Sequence, residues 1–250
     1  MDTTVELLDC GSLAAPLSMF EAGGADARVE LPVPAWLIRH RGQTAVIDCG
    51  MHEELTRPGE LLDLVSLFFD LDVDPQRLIA AQLEARDVDP AAVDLVVLTH
   101  LHFDHVGGLA QLPNARVVVQ EPEWRAGMDD ELAALNTFRR EDYDLGHEVM
   151  TLDGEHDLFG DGVVTCLPTP GHSPGHQSVR VRLADQEIVI CADCAYFGRT
   201  LTGGALPPGS FDRAQHEASI ERLASLGRAG ATLIPGHDAA AFATLPARLA

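Results

Sequence analysis

The sequence predicts an α/β protein in which short strands alternate with helices inside one layered domain. Apolar runs of strand length recur along the chain, and stretches with helical spacing of apolar residues lie between them. A length of 250 residues suffices for one large domain with a full core. We find no internal repeat, low-complexity tract or linker, so residues 1–250 are expected to form a single domain.

The elements follow in order from this pattern. Strands dominate the first fifty residues and stop where Asp48-Cys49-Gly50 breaks the pattern. Two helices come next, and the second is expected to begin at Asp74-Pro75. Residues 121–144 are charge-rich and are predicted to be helical or irregular. The predicted strands are 5–8, 35–40, 44–48, 93–98, 116–120, 163–167, 178–183, 187–191 and a last one ending at His237, and the predicted helices are 60–69, 76–86 and 210–227.

The charge balance restricts the classes of partner. There are 17 Lys+Arg against 39 Asp+Glu, which gives a formal net charge of -22, and every one of the 17 cations is arginine. Such a negative field repels polyanions, so nucleic acid and acidic membrane surfaces are not expected as partners. A small neutral substrate is compatible with this negative net charge. The oligomeric state is left open, with a homodimer as one option.

The N-terminus and the cysteines favour a cytoplasmic location. The first residues lead straight into a strand pattern without a basic-then-apolar signal, and the apolar runs are shorter than a membrane span. The five cysteines are odd in number and scattered, which argues against a disulfide scaffold. Cys191-Ala192-Asp193-Cys194 has no second CxxC to complete a zinc site, so its cysteines are predicted to pack as small apolar residues.

The candidate metal-binding residues are concentrated in the segment 99–108, Thr-His-Leu-His-Phe-Asp-His-Val-Gly-Gly. It follows the apolar run at 93–98, at the point where a buried strand should end. Imidazole nitrogens and carboxylate oxygens are ligands of zinc and similar divalent metals. His100 and His102 can project from one side of an extended backbone. Asp104 and His105 follow with a turn, so their side chains are expected to point in a different direction from those of His100 and His102. They therefore suit a second metal ion.

Three later strand ends also carry metal-binding residues. His172 follows a strand-like run, Asp193 ends an apolar strand, and His237 ends another. Each comes directly after apolar sequence, where a rigid element can hold it for chemistry. Any one of them is weak evidence, but their order after the HxHxDH motif is a strong signal of a metal site.

In these motifs the sequence resembles the metallo-β-lactamase superfamily of binuclear metallohydrolases. The resemblance implies that His100, His102 and His172 hold one metal ion, that Asp104, His105 and His237 hold the other, and that Asp193 bridges them together with a hydroxide. It implies ions about 3.5–4 Å apart, as in other two-metal sites. The strand and helix pattern fits both two sheets covered by helices and an ordinary α/β layer fold. The resemblance selects the first, a four-layer αββα sandwich.

Other segments narrow the resemblance to the N-acyl homoserine lactone lactonases, which destroy quorum-sensing signals. The segment 169–178, Thr-Pro-Gly-His-Ser-Pro-Gly-His-Gln-Ser, is similar to theirs, as are His100 to His105, Leu31-Pro32-Val33 and Phe211-Asp212. The most specific feature is Tyr196, three residues after Asp193. The resemblance covers nearly the whole chain and is weak at residues 51–75 and 121–160.

The resemblance implies a role for each remaining candidate. The phenol of Tyr196 would stabilise the oxyanion that forms when the lactone carbonyl is attacked, and Asp104 would pass a proton to the leaving alkoxide. The two divalent ions are expected to be zinc, with cobalt, manganese and iron also compatible with these donors. Asp48 is expected to accept a hydrogen bond from a metal-bound histidine. Phe103, Phe68 and Phe69 are candidates for contact with an acyl chain. The pattern of residues 64–71 is equally consistent with a lid over that chain and with the buried face of a core helix.

Two alternatives remain open. A lactonase for another small lactone, of the kind that opens pyridoxolactone, shares the ligands and the spacing from Asp193 to Tyr196. A mononuclear iron persulfide dioxygenase would use His100, His172 and Asp193, but the presence of Asp104 and His237 argues against it.

Overall fold

Two β-sheets pack face to face in the computed structural model, which describes residues 3–250. The strands are β1 (Thr3–Pro16), β2 (Arg28–His40), β3 (Gln43–Ile47), β4 (Asp70–Asp72), β5 (Leu95–Val97), β6 (Arg116–Gln120), β7 (Val149–Leu152), β8 (His156–Asp157), β9 (Val164–Pro168), β10 (Gln177–Arg182), β11 (Glu187–Ala192), β12 (Thr232–Pro235) and β13 (Arg248–Leu249). The helices are α1 (Glu60–Val65), α2 (Ile79–Glu84), α3 (Phe103–Val106), α4 (Glu121–Met128), α5 (Asp130–Leu135), α6 (Arg213–Arg228) and α7 (Ala239–Phe242).

The larger sheet has the strand order β13-β1-β2-β3-β5-β6-β7, and β4 pairs with β1 beside this path. Its strands β3, β5, β6 and β7 are parallel. The smaller sheet has the order β12-β11-β10-β9-β8. Within it β12 is parallel to β11, and β9 runs in the same direction as β11 because both pair antiparallel with β10.

Three hydrophobic cores separate four layers. One lies between the larger sheet and α1 and α2, a second lies between the two sheets, and a third lies between the smaller sheet and α6. Successive side chains of β2 alternate between them: Leu37 packs in the first core and Ile38 in the second. The four-layer αββα sandwich expected from the family resemblance is confirmed.

The first strand is longer than the predicted 5–8. β1 has fourteen residues and continues past an irregularity between Asp9 and Ser12, where the pairing with β2 shifts register. Gly11 lies there with φ 103°, in the left-handed region that favours glycine. The polar and flexible residues of this bulge look like a turn in the sequence, although the strand passes through them.

The two predicted helices at 60–69 and 76–86 are also shorter in the structure. α1 ends at Val65, and Leu67 and Phe68 lie exposed beyond it. The second begins with a 3₁₀ turn, Pro75–Arg77, which the Asp74 side chain caps by accepting from the backbone N–H of Gln76. Leu78 is then extended, so α2 starts afresh at Ile79. The sequence pattern did not predict β4, β7, β8, β13 and α7, and it predicted a turn where the short helix α3 lies.

All five cysteines are buried and unpaired. Cys191 and Cys194 pack in the third core with Leu223, which agrees with their interpretation as small apolar residues. Within residues 3–250, none of the helices combines the length and the hydropathy needed to cross a bilayer.

The strand directions place the candidate ligands together. β5 of the larger sheet ends just before Thr99, and β9, β11 and β12 of the smaller sheet run toward His172, Asp193 and His237. Four strand ends from two facing sheets therefore meet at one edge of the sandwich.

Candidate metal centre

The HxHxDH segment changes conformation halfway, which divides its ligands. His102 is still extended, with φ -72° and ψ 154°, and it precedes α3, which carries Asp104 and His105 in its first turn. The helix packs closely on the backbone after β3. A Cβ added to Gly107 would lie 2.3 Å from the backbone nitrogen of His52, so only glycine fits there.

Three imidazoles form the first cluster, which we call the three-histidine group: His100, His102 and His172. The Nδ1 atom of His102 lies 2.9 Å from Nε2 of His100 and 3.0 Å from Nε2 of His172. The Oδ2 atom of Asp193 lies 3.7 Å from Nε2 of His100 and 3.5 Å from Nε2 of His172. The ligand atoms of these four residues lie within 4.8 Å of one another, so the residues could hold one metal ion.

The second cluster, the mixed group, consists of Asp104, His105 and His237. The Oδ1 atom of Asp193 lies 3.2 Å from Nε2 of His105 and 2.9 Å from Nε2 of His237. The Oδ2 atom of Asp104 lies 3.6 Å and 3.8 Å from the same two nitrogens. Asp193 thus directs one carboxylate oxygen to each group, and the structure brings all seven predicted ligand residues together.

The outward ring nitrogens of several histidines are held by hydrogen bonds. Nδ1 of His105 lies 2.8 Å from Oδ2 of Asp48, and Nδ1 of His237 lies 2.8 Å from the carbonyl oxygen of Pro32. Nε2 of His102 lies 3.0 Å from the carbonyl oxygen of Asn136. An imidazole that donates from its outer nitrogen keeps a free lone pair on the inner one, which is the form that binds a metal.

Asp48 is placed where a metal-bound histidine needs an acceptor. Besides facing His105, it accepts from the backbone N–H and the hydroxyl of Thr99, both at 2.8 Å. Its φ of 58° lies in the left-handed region, which is strained for a residue with a side chain. Three hydrogen bonds hold the residue in that conformation at the end of β3.

The charges of the site fit cations. Asp48, Asp104 and Asp193 are buried, and throughout residues 3–250 their ion-pair partners are imidazoles and never arginine. Buried carboxylates need a compensating positive charge. Nε2 of His105 is buried without a hydrogen-bond partner in this part of the chain, which fits an atom that binds a metal. The donor set suits divalent metal ions.

The titration of the histidines reflects the same charge distribution. Burial lowers the pKa of His100 and His172 well below the usual range, so their imidazoles are neutral. Burial acts in the same direction on His105, but the carboxylates of Asp193, Asp104 and Asp48 outweigh it and raise its pKa well above the usual range. A positive charge is therefore favoured in the mixed group.

Tyr196 lies at the entrance of the site. Its ring packs between those of His172, at 5.7 Å, and His237, at 5.5 Å. It lines two cavities: an inner one of about 90 Å³ that reaches Asp104, Asp193 and His237, and an outer one of about 380 Å³ that reaches His102 and His172. The outer volume is typical of a small-molecule site.

The three candidate phenylalanines occupy different positions. Phe103 lines the inner cavity, and Phe69 packs against it with the ring centroids 5.7 Å apart. Phe68 is 58% exposed and lines neither of these two cavities. The outer cavity is instead lined by Met19, Leu135 and Phe211, each partly exposed to solvent.

Sequence reasoning missed the backbone acceptors of His102 and His237. The carbonyl groups of Asn136 and Pro32 carry no side-chain signal, and they reach the site through loops distant in sequence. The apolar wall of the outer cavity was missed for a similar reason, because isolated residues from three segments form it.

Comparison with known proteins agrees with this geometry. The family model of the metallo-beta-lactamase superfamily matches residues 28–237. The N-acyl homoserine lactonase AttM of Rhizobium radiobacter is 33% identical over 254 residues, covering 97% of this chain and 95% of the relative. The AiiA lactonase of Bacillus thuringiensis subsp. kurstaki is 26% identical over 222 residues, covering 84% of this chain and 82% of the relative.

A solved structure has the same fold. It is an N-acyl homoserine lactone hydrolase with the product N-hexanoyl-L-homoserine bound at its catalytic metal centre. It superposes with a TM-score of 0.86 at 22% identity, covering 97% of this chain and 96% of the other. With the family model and the AttM relative, the chain belongs to the metallo-beta-lactamase superfamily and, within it, to the family of the N-acyl homoserine lactonases.

Proposed function

We propose that this protein is a metal-dependent hydrolase that opens the lactone ring of N-acyl homoserine lactones, and thereby quenches quorum sensing. One observation carries the proposal. Six other potential ligand residues surround the two carboxylate oxygens of Asp193, directly beside Tyr196 in a cavity with an apolar outer wall. The function of the AttM relative fits this arrangement. We propose that the whole chain acts as one domain.

The three-histidine group with Asp193 would hold one ion, and the mixed group with Asp193 would hold the other; we propose zinc for both. When bound, the two ions would acidify a water molecule and polarise the lactone carbonyl. The protein supports this chemistry by fixing the orientation of the His105, His237 and His102 rings through Asp48, Pro32 and Asn136, respectively.

Tyr196 and Asp104 would handle the charges that develop during ring opening. Burial, together with the negative charges of Asp193 and Asp104, raises the pKa of Tyr196 well above its usual range, so the phenol keeps its proton. A protonated phenol can donate a hydrogen bond to the carbonyl oxygen as it gains negative charge. Asp104 would take up the proton that the attacking water molecule loses and pass it to the ring oxygen that leaves.

The outer cavity suits the acyl chain. Met19, Leu135 and Phe211 offer apolar surface next to His172 and Tyr196. Phe103, supported by Phe69, would contact the part of the substrate nearest the inner cavity. We retain Phe68 as a candidate only for the distal end of a long chain, since it lies on the exposed turn after α1. The net charge of -22 disfavours polyanionic substrates such as RNA.

The products decide between this reaction and its alternatives. Incubation with N-acyl homoserine lactones of short and long chain is expected to give the N-acyl homoserine, which re-forms the lactone in acid. Mass spectrometry and acid treatment measure both. Release of free homoserine lactone and a fatty acid would instead mean amide cleavage. An unacylated lactone serves as the comparison, and faster turnover of it would favour a lactonase for another small lactone.

Replacing Asp48 with asparagine tests the support of the mixed group. Asparagine tolerates positive φ, so the change alters the acceptor atoms rather than the backbone. The asparagine amide cannot accept from both His105 and Thr99 at the position of Oδ2. Zinc affinity at one of the two sites is expected to fall by about ten- to a hundredfold, measured by competition with a chelator.

The matched control is Asp94→Asn. Asp94 is exposed just before β5, at the end opposite the site, where its carboxylate accepts from the backbone N–H of Thr44. Zinc binding by this variant should equal that of the wild type. Wild-type affinity in Asp48→Asn as well would show that Asp48 only shapes the turn.

A further inference from the structure

Glu123 is fully buried in the first turn of α4, yet it is not one of the potential metal ligands. Its Oε1 atom accepts a hydrogen bond from the backbone N–H of Leu101 at 3.1 Å. Its Oε2 atom accepts from the hydroxyl of Ser173 at 2.8 Å and from the backbone N–H of Gly175 at 2.6 Å. One side chain therefore contacts two loops.

Both loops carry members of the three-histidine group. Leu101 lies between His100 and His102 in the chain, and Ser173 directly follows His172. The first loop leaves the larger sheet and the second leaves the smaller sheet. The carboxylate of Glu123 thus joins the two halves of one metal site across the gap between the sheets.

Burial of the Glu123 carboxylate is energetically unfavourable, and the backbone at Gly175 packs closely against Glu123. Burial raises the pKa of Glu123 to about 7, although its three hydrogen-bond donors lower it. Within the described part of the chain it has no arginine or histidine partner, so hydrogen bonds alone compensate the buried carboxylate. A Cβ added to Gly175 would lie 2.2 Å from the backbone nitrogen of Glu123, so only glycine lets the loop approach this closely.

We propose that Glu123 is a positioning residue that sets the spacing between His172 and the pair His100 and His102, and thereby the affinity of the three-histidine group for its metal ion. The proposal rests on the proposed function, because it presupposes two metal sites. Glu123 makes no hydrogen bond to the mixed group, whose residues are held by Asp48 and Pro32. Loss of Glu123 should therefore weaken one site and spare the other, whereas a residue important only for general stability would affect both.

Glu123→Gln is the main test, because it keeps the shape and replaces one acceptor oxygen with an amide donor. Zinc affinity is measured by competition with a chelator, and the site affected is identified from the visible absorption of the Co²⁺-loaded protein. One ion is expected to bind about ten- to a hundredfold more weakly, as for other groups that orient metal ligands. The Co²⁺ spectrum should shift toward that of His172→Ala and away from that of His237→Ala.

Glu121→Gln is the matched control, since it places the same substitution two residues earlier on the same helix, at an exposed position. It should bind both ions as the wild type does. If Glu123→Gln fails to fold, Ser173→Ala decides the question, because it removes one of the three donors; several-fold weaker binding of the same ion is expected.

Equal weakening of both ions, or unchanged binding in Glu123→Gln, would overturn the positioning role. If Glu123→Gln does not fold, unchanged metal binding in Ser173→Ala would overturn the positioning role instead. Wild-type protein that binds fewer than two ions would give a different result, since it would refute the two-metal function itself before any variant is compared.

Discussion

The substitution Asp193→Asn is expected to remove both metal ions and to reduce the rate of lactone hydrolysis by about a thousandfold or more. A catalytic cation stabilises the transition state by several kcal/mol, and this stabilisation is lost with the ions. The two oxygens of Asp193 face different groups: Oδ1 is near His105 and His237, and Oδ2 is near His172. Asparagine offers a single oxygen without charge, so at most one group keeps an acceptor. Asp193 is also the anionic residue that lies within 4 Å of histidines in both groups.

Metal content after gel filtration is the direct measurement for Asp193→Asn, with thermal denaturation in chelator to show that the metal-free fold persists. Asp129→Asn is a suitable control. Asp129 is exposed and caps α5 by accepting from the backbone N–H groups of Glu131 and Leu132, and asparagine caps a helix equally well. Two ions bound to Asp193→Asn at wild-type affinity would show that Asp193 does not bridge them.

The ligand positions could be predicted because they lie in the segments that follow the ends of four strands. Strand ends are rigid and are visible in a sequence as apolar runs followed by polar residues, as at His100 and Asp193. A turn within HxHxDH could also be anticipated, and in the structure it is formed by the short helix α3, which follows His102.

The layer architecture could not be read from the pattern alone. In β5, Val96 faces the helices and Val97 faces the other sheet, so both alternating faces are apolar. A strand buried on both faces looks the same in a two-sheet sandwich and in an ordinary α/β layer fold. Only the resemblance to a known family separated the two.

Contacts between distant segments of the sandwich could not be predicted from the sequence pattern, for a different reason. Glu123 lies in the charge-rich stretch 121–144, where a solvated glutamate is the ordinary expectation. Its burial arises because α4 brings it beneath two loops whose relative position depends on both sheets. The same holds for the carbonyl group of Pro32, which meets His237 from the opposite end of the chain.

Replacing Tyr196 with phenylalanine is expected to reduce turnover by about ten- to a thousandfold while both metal ions stay bound, because the phenol stabilises charge that exists mainly in the transition state. The backbone after β11 places the ring between His172 and His237, where both cavities meet. Phenylalanine keeps this packing and removes only the hydroxyl. The measurements are kcat and KM across a panel of lactones, together with metal content.

The chain offers a close control, since its two tyrosines are Tyr196 and Tyr143. The hydroxyl of Tyr143 donates to the carbonyl oxygen of Gly127 at 2.7 Å in a buried position away from both cavities. Tyr143→Phe should cost about 1 kcal/mol of stability and leave kcat unchanged. If Tyr196→Phe behaved in the same way, its hydroxyl would be a packing group. The oxyanion would then have to be stabilised by the metal site alone, and the spacing from Asp193 to Tyr196 would no longer support a lactone substrate.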